Sequence, residues 1–123
     1  MATKILIADD EPNIVISLEF LLKREGYEVV VARNGIEALE RVRAERPDMA
    51  ILDVMMPQRN GFEVCQDLRQ DPEFKDLRIM MLTAKGRDTE VSKGLALGAD
   101  VYMTKPFSTR ELVAKVKALI DRA

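Results

Sequence analysis

Three aspartates stand where apolar runs end: Asp9 and Asp10 directly after Ile5-Leu6-Ile7-Ala8, and Asp53 at the close of Met49-Ala50-Ile51-Leu52. Thr83 ends a third such run, and Lys105, followed by Pro106, stands just beyond a fourth. If the runs are parallel strands, every one of these groups lies at the same carboxyl edge of one sheet. Carboxylates about 4 Å apart repel by about 4 kcal/mol per pair at an effective dielectric of about 20, so such a cluster needs an offset. A raised carboxyl pKa is one; a hard divalent cation is the other, and all-oxygen ligands at a solvent-facing edge suit Mg²⁺. Carboxylate, cation, hydroxyl and ammonium together form a constellation for phosphoryl transfer. Asp53 would be the nucleophile, with Mg²⁺ and Lys105 stabilising the equatorial oxygens.

The elements that must deliver these groups are legible as an alternation. Apolar runs over Lys4 to Ala8, Glu28 to Ala32, Met49 to Asp53, Arg78 to Thr83 and Val101 to Thr104 read as strands. Between them lie helical stripes: Ile14, Leu18, Leu21 and Leu22; then Ala38, Leu39 and Val42; then Phe62, Cys65 and Leu68. Val91 and Leu95 support a weaker fourth helix, and Leu112, Val116, Leu119 and Ile120 give the clearest stripe of all. Pro12 suits a first helical position, Gly26 and Gly98 suit helix ends, and Asn60-Gly61 can open the third helix. Strand then helix, five times over, predicts an α/β fold: a doubly wound, five-stranded parallel sheet in the flavodoxin-like order 2-1-3-4-5, with helices on both faces. In that order the strand sequence reverses between strands one and three, which is where open α/β sheets place their sites.

A length of 123 residues predicts one domain spanning 1–123, with no effector domain, linker or repeat. Apolar residues make up 47% and charged residues 33%, an ordinary globular balance that argues against disorder. The net charge of -2 provides no field to gather nucleic acid, so direct binding to it is not expected. The apolar run before Asp9 is too short for a signal-peptide core or a membrane span, which predicts a cytoplasmic protein with no membrane partner. Histidine is absent, so any phosphohistidine must belong to a partner. The lone Cys65 sits on an apolar helical stripe and reads as a buried structural thiol, and the methionines Met49, Met80 and Met81 as core filler.

Taken singly, each feature has a plainer reading. Asp9-Asp10-Glu11-Pro12 would serve as a helix amino-terminal cap, Asp53 as a strand-end carboxylate satisfied by backbone amides, Thr83 as a β-former and Lys105-Pro106 as a turn. Their joint arrival at one edge, from four strands, favours the phosphoacceptor.

Four blocks, Ile7-Ala8-Asp9-Asp10-Glu11-Pro12, Leu52-Asp53-Val54-Met55-Met56-Pro57, Leu82-Thr83-Ala84 and Tyr102-Met103-Thr104-Lys105-Pro106-Phe107, resemble the signature of two-component response-regulator receiver domains. The resemblance covers essentially the whole chain. It implies that Asp53 takes a phosphoryl group from the phosphohistidine of a sensor histidine kinase or phosphotransfer protein. It further implies that Asp10, Asp53 and the backbone carbonyl of Met55 coordinate Mg²⁺, with Asp9 acting through a metal-bound water and Mn²⁺ able to substitute. Lys105 would pair with the phosphoaspartate, Thr83 would hydrogen-bond the phosphoryl group, and Tyr102 would follow Thr83 inward as the switch. The fourth helix, fifth strand and fifth helix would then present a changed surface to a downstream effector protein.

Within the resemblance there are departures. Arg59 stands where the family usually has an apolar residue, in the loop after Pro57, and is free to meet a partner instead. Met55 and Lys85 occupy the positions that tune phosphate gain and loss. Phe107 and the helix from Glu111 to Lys117 resemble the subfamily that dimerises through the fourth helix, fifth strand and fifth helix. Glu111, Lys115 and Lys117 keep one side of its intersubunit ion pairs, but Val91, Ala96 and Val101 replace the partners, which predicts a monomer or weak dimer. Three other functions compete. A phosphatase of the haloacid-dehalogenase type wants an aspartate two residues beyond the nucleophile, where Met55 stands. A flavin or nucleotide binder wants a glycine- or hydroxyl-rich loop where Asp-Asp-Glu-Pro stands. An interaction module on the same fold, never phosphorylated, has no need of the complete pocket.

Overall fold

The computed structural model describes residues 3–84 and 98–121. Strands β1 (Lys4–Ala8), β2 (Glu28–Ala32), β3 (Met49–Asp53), β4 (Arg78–Ala84) and β5 (Val101–Lys105) form one sheet. Helices α1 (Pro12–Arg24), α2 (Gly35–Glu45), α3 (Gly61–Gln70) and α4 (Thr109–Asp121) cover it. Here α4 is the last helical stripe of the sequence; the helix expected around Val91 and Leu95 lies outside the described residues, as does Lys85. The strand order is β2-β1-β3-β4-β5, with every pair parallel.

Period-two alternation divides each central strand between two cores. Leu6, Ala8, Ala50, Leu52, Ile79 and Met81 face α2 and α3, where Leu39, Val42, Phe62, Cys65 and Leu68 complete one cluster. Ile5, Ile7, Met49, Ile51, Met80 and Leu82 face α1 and α4, where Val15, Leu18, Leu22, Leu112, Val116 and Leu119 complete the other. Burial on both faces is why these strands read as continuous apolar runs rather than alternating ones. Cys65 is fully buried, and burial raises its thiol pKa, in keeping with a structural role. The buried residues of α1 are Val15, Leu18 and Leu22; of the expected stripe, Leu18 and Leu22 are buried and Ile14 packs partly buried against the same cluster, while Val15 joins it and Leu21 is only half-buried.

Local signals set the helix starts. Pro12 occupies the first turn of α1, where its missing N–H is no loss. Asn60 and Glu63 form a reciprocal capping box at α3, which contributes about 1 kcal/mol. Gly61 follows Asn60 because a side chain cannot fit there: its Cβ would lie 2.5 Å from the Asp53 carbonyl oxygen. The start of α3 therefore rests directly on the end of β3.

At the opposite end of the sheet, Arg69 on α3 binds together segments far apart in sequence. Its guanidinium donates to the carbonyls of Gly98 and Leu77 at 2.8 and 2.6 Å and to the Asp100 carboxylate at 3.0 Å. The same carboxylate accepts the Ile79 amide at the entry to β4, so one residue pair aligns α3, β4 and β5.

Candidate functional site

The parallel register fixes where each candidate group emerges. Ala8 pairs with Leu52, Asp53 with Leu82 and Thr83 with Thr104, so the carboxyl ends of β1, β3, β4 and β5 open onto one crevice. The Asp9 amide donates to the Ala32 carbonyl at 3.1 Å and the Val54 amide to the Leu82 carbonyl at 2.9 Å. These bonds carry the sheet ladder past Asp9 and Asp53 and hold both backbones rigid.

Asp9, Asp53 and Thr83 are buried, at 0%, 4% and 1% relative exposure, whereas Asp10 is exposed. Carboxylate oxygens of Asp9, Asp10 and Asp53 all lie within 4.8 Å of one another. Lys105 reaches over this cluster. Its Nζ is 3.0 Å from Asp9 Oδ2, 3.0 Å from Glu11 Oε1 and 3.4 Å from Asp53 Oδ1. The Met55 amide makes a long approach to Asp53 Oδ1 at 3.4 Å, and the Met55 side chain projects outward.

Burial is the main force on Asp53, and with the nearby Asp9 carboxylate it pushes the Asp53 pKa up to about 7, against the pull of Lys105 and the Met55 amide. Burial alone would lower the Lys105 pKa, but hydrogen bonds to Glu11 and Asp9 and the Asp53 charge reverse the direction and raise it. The site is thus an ammonium held firmly charged over a carboxyl that resists ionisation. One ammonium beside Asp9, Glu11 and Asp53 cannot balance these carboxylates together with the adjacent Asp10. The residual negative charge, the all-oxygen donor set and the opening through Asp10 fit a small hard divalent ion such as Mg²⁺.

The expected groups converge as the sequence pattern predicted, with two revisions. Glu11 stands at the N-cap of α1, but its side chain makes no capping bond. Asp9 Oδ1 accepts the Glu11 amide at 2.9 Å in the turn before the helix, while the Glu11 carboxylate turns to Lys105. The segment from Asp9 to Pro12 does lead into α1, but no Glu11 side-chain cap forms, because the Lys105 ammonium is a stronger partner for its carboxylate than a backbone amide. The sequence carried a weak sign of this: Asp, Asn, Ser and Thr lead at N-caps and glutamate does not.

Arg59 is occupied within the chain rather than free for a partner. Its guanidinium pairs with Asp67 at 2.6 Å and lies 3.9 Å from Glu63, both on α3, with Nε buried and without a hydrogen-bond partner. Its backbone packs against Gly35, where no Cβ would fit. Asp67 was not legible as its partner, since only the fold of the Pro57–Asn60 loop decides which helix residue the guanidinium meets.

Tyr102 is half-buried, packs against the α2–α3 core, and lines a cleft of about 270 Å³ with Thr104, Phe107, Glu111 and Lys115. Lys115 pairs with Glu111 at 3.7 Å, and Lys117 with Glu25 at 2.6 Å. Charges that the family resemblance would send across a dimer interface are thus engaged inside the chain. Val101 is half-buried, and Val91 and Ala96 lie outside the described residues. No helix among the described residues is long and apolar enough to cross a membrane.

Comparison with known proteins agrees with this geometry. The family model of the response regulator receiver domain matches residues 5–117. The alkaline phosphatase synthesis transcriptional regulatory protein PhoP of Bacillus subtilis is 50% identical over 123 residues, covering 100% of this chain and 50% of PhoP. The chain thus spans about half the length of that relative. Among solved structures, a protein of Chloroflexus aurantiacus described as a response regulator superposes with a TM-score of 0.96 at 39% identity, covering 99% of this chain and 100% of its own. The receiver domain of a Pseudomonas aeruginosa sensor histidine kinase, which holds a magnesium ion in its active-site cleft, superposes with a TM-score of 0.91 at 25% identity, covering 99% and 100%.

Proposed function

This chain belongs to the response regulator receiver family, whose general function is to accept a phosphoryl group, and we propose that Asp53 is the acceptor and that phosphorylation switches a partner-binding surface. One observation carries the assignment. Asp53 is the buried carboxylate at the end of the central strand β3, within 3.4 Å of the Lys105 ammonium and clustered with Asp9 and Asp10. No other described carboxylate combines these features.

In the proposed reaction an Asp53 oxygen forms a bond to phosphorus as the donor's phosphorus–nitrogen bond breaks, and the departing imidazole takes a proton from solvent. Lys105 would neutralise the phosphoryl oxygens, and the Thr83 hydroxyl, from the strand beside Asp53, would donate to one of them; the 3.4 Å approach of Lys105 to Asp53 and the pairing of β3 with β4 support these roles. Asp10, Asp53 and the Met55 carbonyl would hold Mg²⁺, with Asp9 acting through a bound water and Mn²⁺ able to substitute. The ion supplies positive charge that keeps Asp53 ionised and balances the incoming phosphoryl group.

Phosphorylation adds charge at the head of β4 and β5, and Tyr102 lies two residues along from the β5 position paired with Thr83. The neighbouring cleft beside α4 gives the switch a surface to alter. The donor is a sensor histidine kinase or phosphotransfer protein, and the reader a separate effector protein or domain. A regulator role, rather than turnover of an external substrate, fits a nucleophile followed two residues on by Met55, which offers no side-chain acid. The internal pairing of Lys115 and Lys117 supports a monomer or weak dimer.

The test is incubation with an acyl phosphate and Mg²⁺, read by intact mass. A gain of one phosphoryl group by the wild type, absent in Asp53→Asn and without metal, is the expected outcome. Uptake by Asp53→Asn equal to that of the wild type would overturn the assignment.

A further inference from the structure

Glu11 has no part in the mechanism above, yet it holds one of the closest contacts in the site. The Lys105 ammonium has three N–H groups, and three carboxylates surround it: Asp9 and Glu11 at 3.0 Å and Asp53 at 3.4 Å. Once Asp53 carries a phosphoryl group, the ammonium must move from its two hydrogen-bonded partners, Asp9 and Glu11, toward the new oxygens, and one of those two bonds lengthens as it does. Asp9 is held on its other side, because Oδ1 accepts the Glu11 amide, and its side chain is fully buried. Glu11 is the opposite case: its side chain is 58% exposed, flexible, and makes no capping bond for α1.

We propose that Glu11 is a competitor for Lys105, holding the ammonium in the unphosphorylated chain and releasing it to the phosphoryl group on transfer. This rests on the reading of Asp53 as the acceptor. Glu11 lowers the availability of Lys105 before transfer and makes no matching contact after it, so it slows phosphorylation and disfavours the phosphorylated state. Removing the carboxylate leaves Lys105 anchored by Asp9 and freer to turn. Its cost to the fold is small, since the Glu11 side chain makes no capping bond for α1 and the Glu11 amide keeps its bond to Asp9.

The experiment measures phosphorylation rates with an acyl phosphate at saturating Mg²⁺, and affinity for beryllium trifluoride as a phosphoryl mimic. The proteins are the wild type, Glu11→Ala, Glu11→Gln, Lys105→Met and the Glu11→Ala/Lys105→Met double variant. Glu11→Ala should raise both the rate and the affinity about three- to fivefold, the range of a partly exposed ion pair, with Glu11→Gln between it and the wild type. In the Lys105→Met background the same substitution should change neither. An unchanged or slower Glu11→Ala overturns the inference, and so does an equal gain with and without Lys105, which would place the effect in repulsion of the anionic donor. A wild type that takes up neither phosphate nor the mimic would sink the acceptor reading itself, a result distinct from both.

Discussion

Replacing Asp53 by asparagine should stabilise the metal-free protein, and by an amount that depends on pH. Asp53 is 4% exposed, and burial with the Asp9 charge raises its pKa from the usual carboxylate value to about 7. Between about pH 4 and pH 7 the folded chain therefore binds more protons at this site than the unfolded chain does. The sign follows: stability falls as pH rises through that window, and above it the full cost of burying the ionised carboxylate is present. A rise of that size corresponds to on the order of 4 kcal/mol. Asparagine keeps the shape and loses the charge, but it also gives up the attraction to Lys105 at 3.4 Å, so the net gain is smaller. We expect Asp53→Asn to exceed the wild type by about 1 kcal/mol near pH 5 and about 2 to 4 kcal/mol near pH 8. Urea unfolding in a chelator, repeated across that range for both proteins, measures the gap directly. Adding Mg²⁺ should close it by stabilising the wild type alone. A gap that is flat with pH, or a wild type at least as stable as Asp53→Asn near pH 8, would refute the claim that Asp53 is forced to ionise against its surroundings.

Three further outcomes follow from the same geometry. Lys105→Met removes the ammonium shared by Asp9, Glu11 and Asp53; calorimetry should show tighter Mg²⁺ binding, while phosphorylation slows about 100-fold or more through loss of charge stabilisation. Gly61→Ala drives a methyl group to 2.5 Å from the Asp53 carbonyl; denaturant unfolding should show a loss of about 1 to 3 kcal/mol, and the phosphorylation rate should fall because Asp53 moves. Chelation should abolish phosphoryl uptake, and Mn²⁺ should restore it, since the donor set is all oxygen; restoration by Zn²⁺ alone would contradict the hard-ion reading.

Much of this architecture is legible in the residue pattern alone. The strands Lys4–Ala8, Glu28–Ala32 and Met49–Asp53 begin and end where the apolar runs do: Met49–Asp53 is buried throughout and Lys4–Ala8 nearly so, and the edge strand Glu28–Ala32 keeps an unbroken apolar run after Glu28. β4 and β5 each extend one residue beyond the pattern, to Ala84 and Lys105, since ladder pairing continues where hydrophobicity stops. Placing Asp9, Asp10, Asp53, Thr83 and Lys105 at one edge needed only the parallel direction of the strands, which strand–helix alternation dictates.

What spacing could not convey was the choice among partners. Sequence offered Lys105 several carboxylates and no means to rank them; the fold puts Asp9 and Glu11 nearer than Asp53. Likewise Arg59 was a cation without an address until the loop after Pro57 aimed it at Asp67. Burial is also a property of the assembled chain: Asp9 and Asp10 are neighbours in sequence, yet one is sealed and the other open to solvent. Residue types and strand direction determine which chemical groups meet, because those follow from local periodicity and one handed crossover rule. Distances of a few tenths of an ångström and the depth of each charge decide which group is ionised and which is paired, and both arise only when β1, β3 and β5 close around the same crevice.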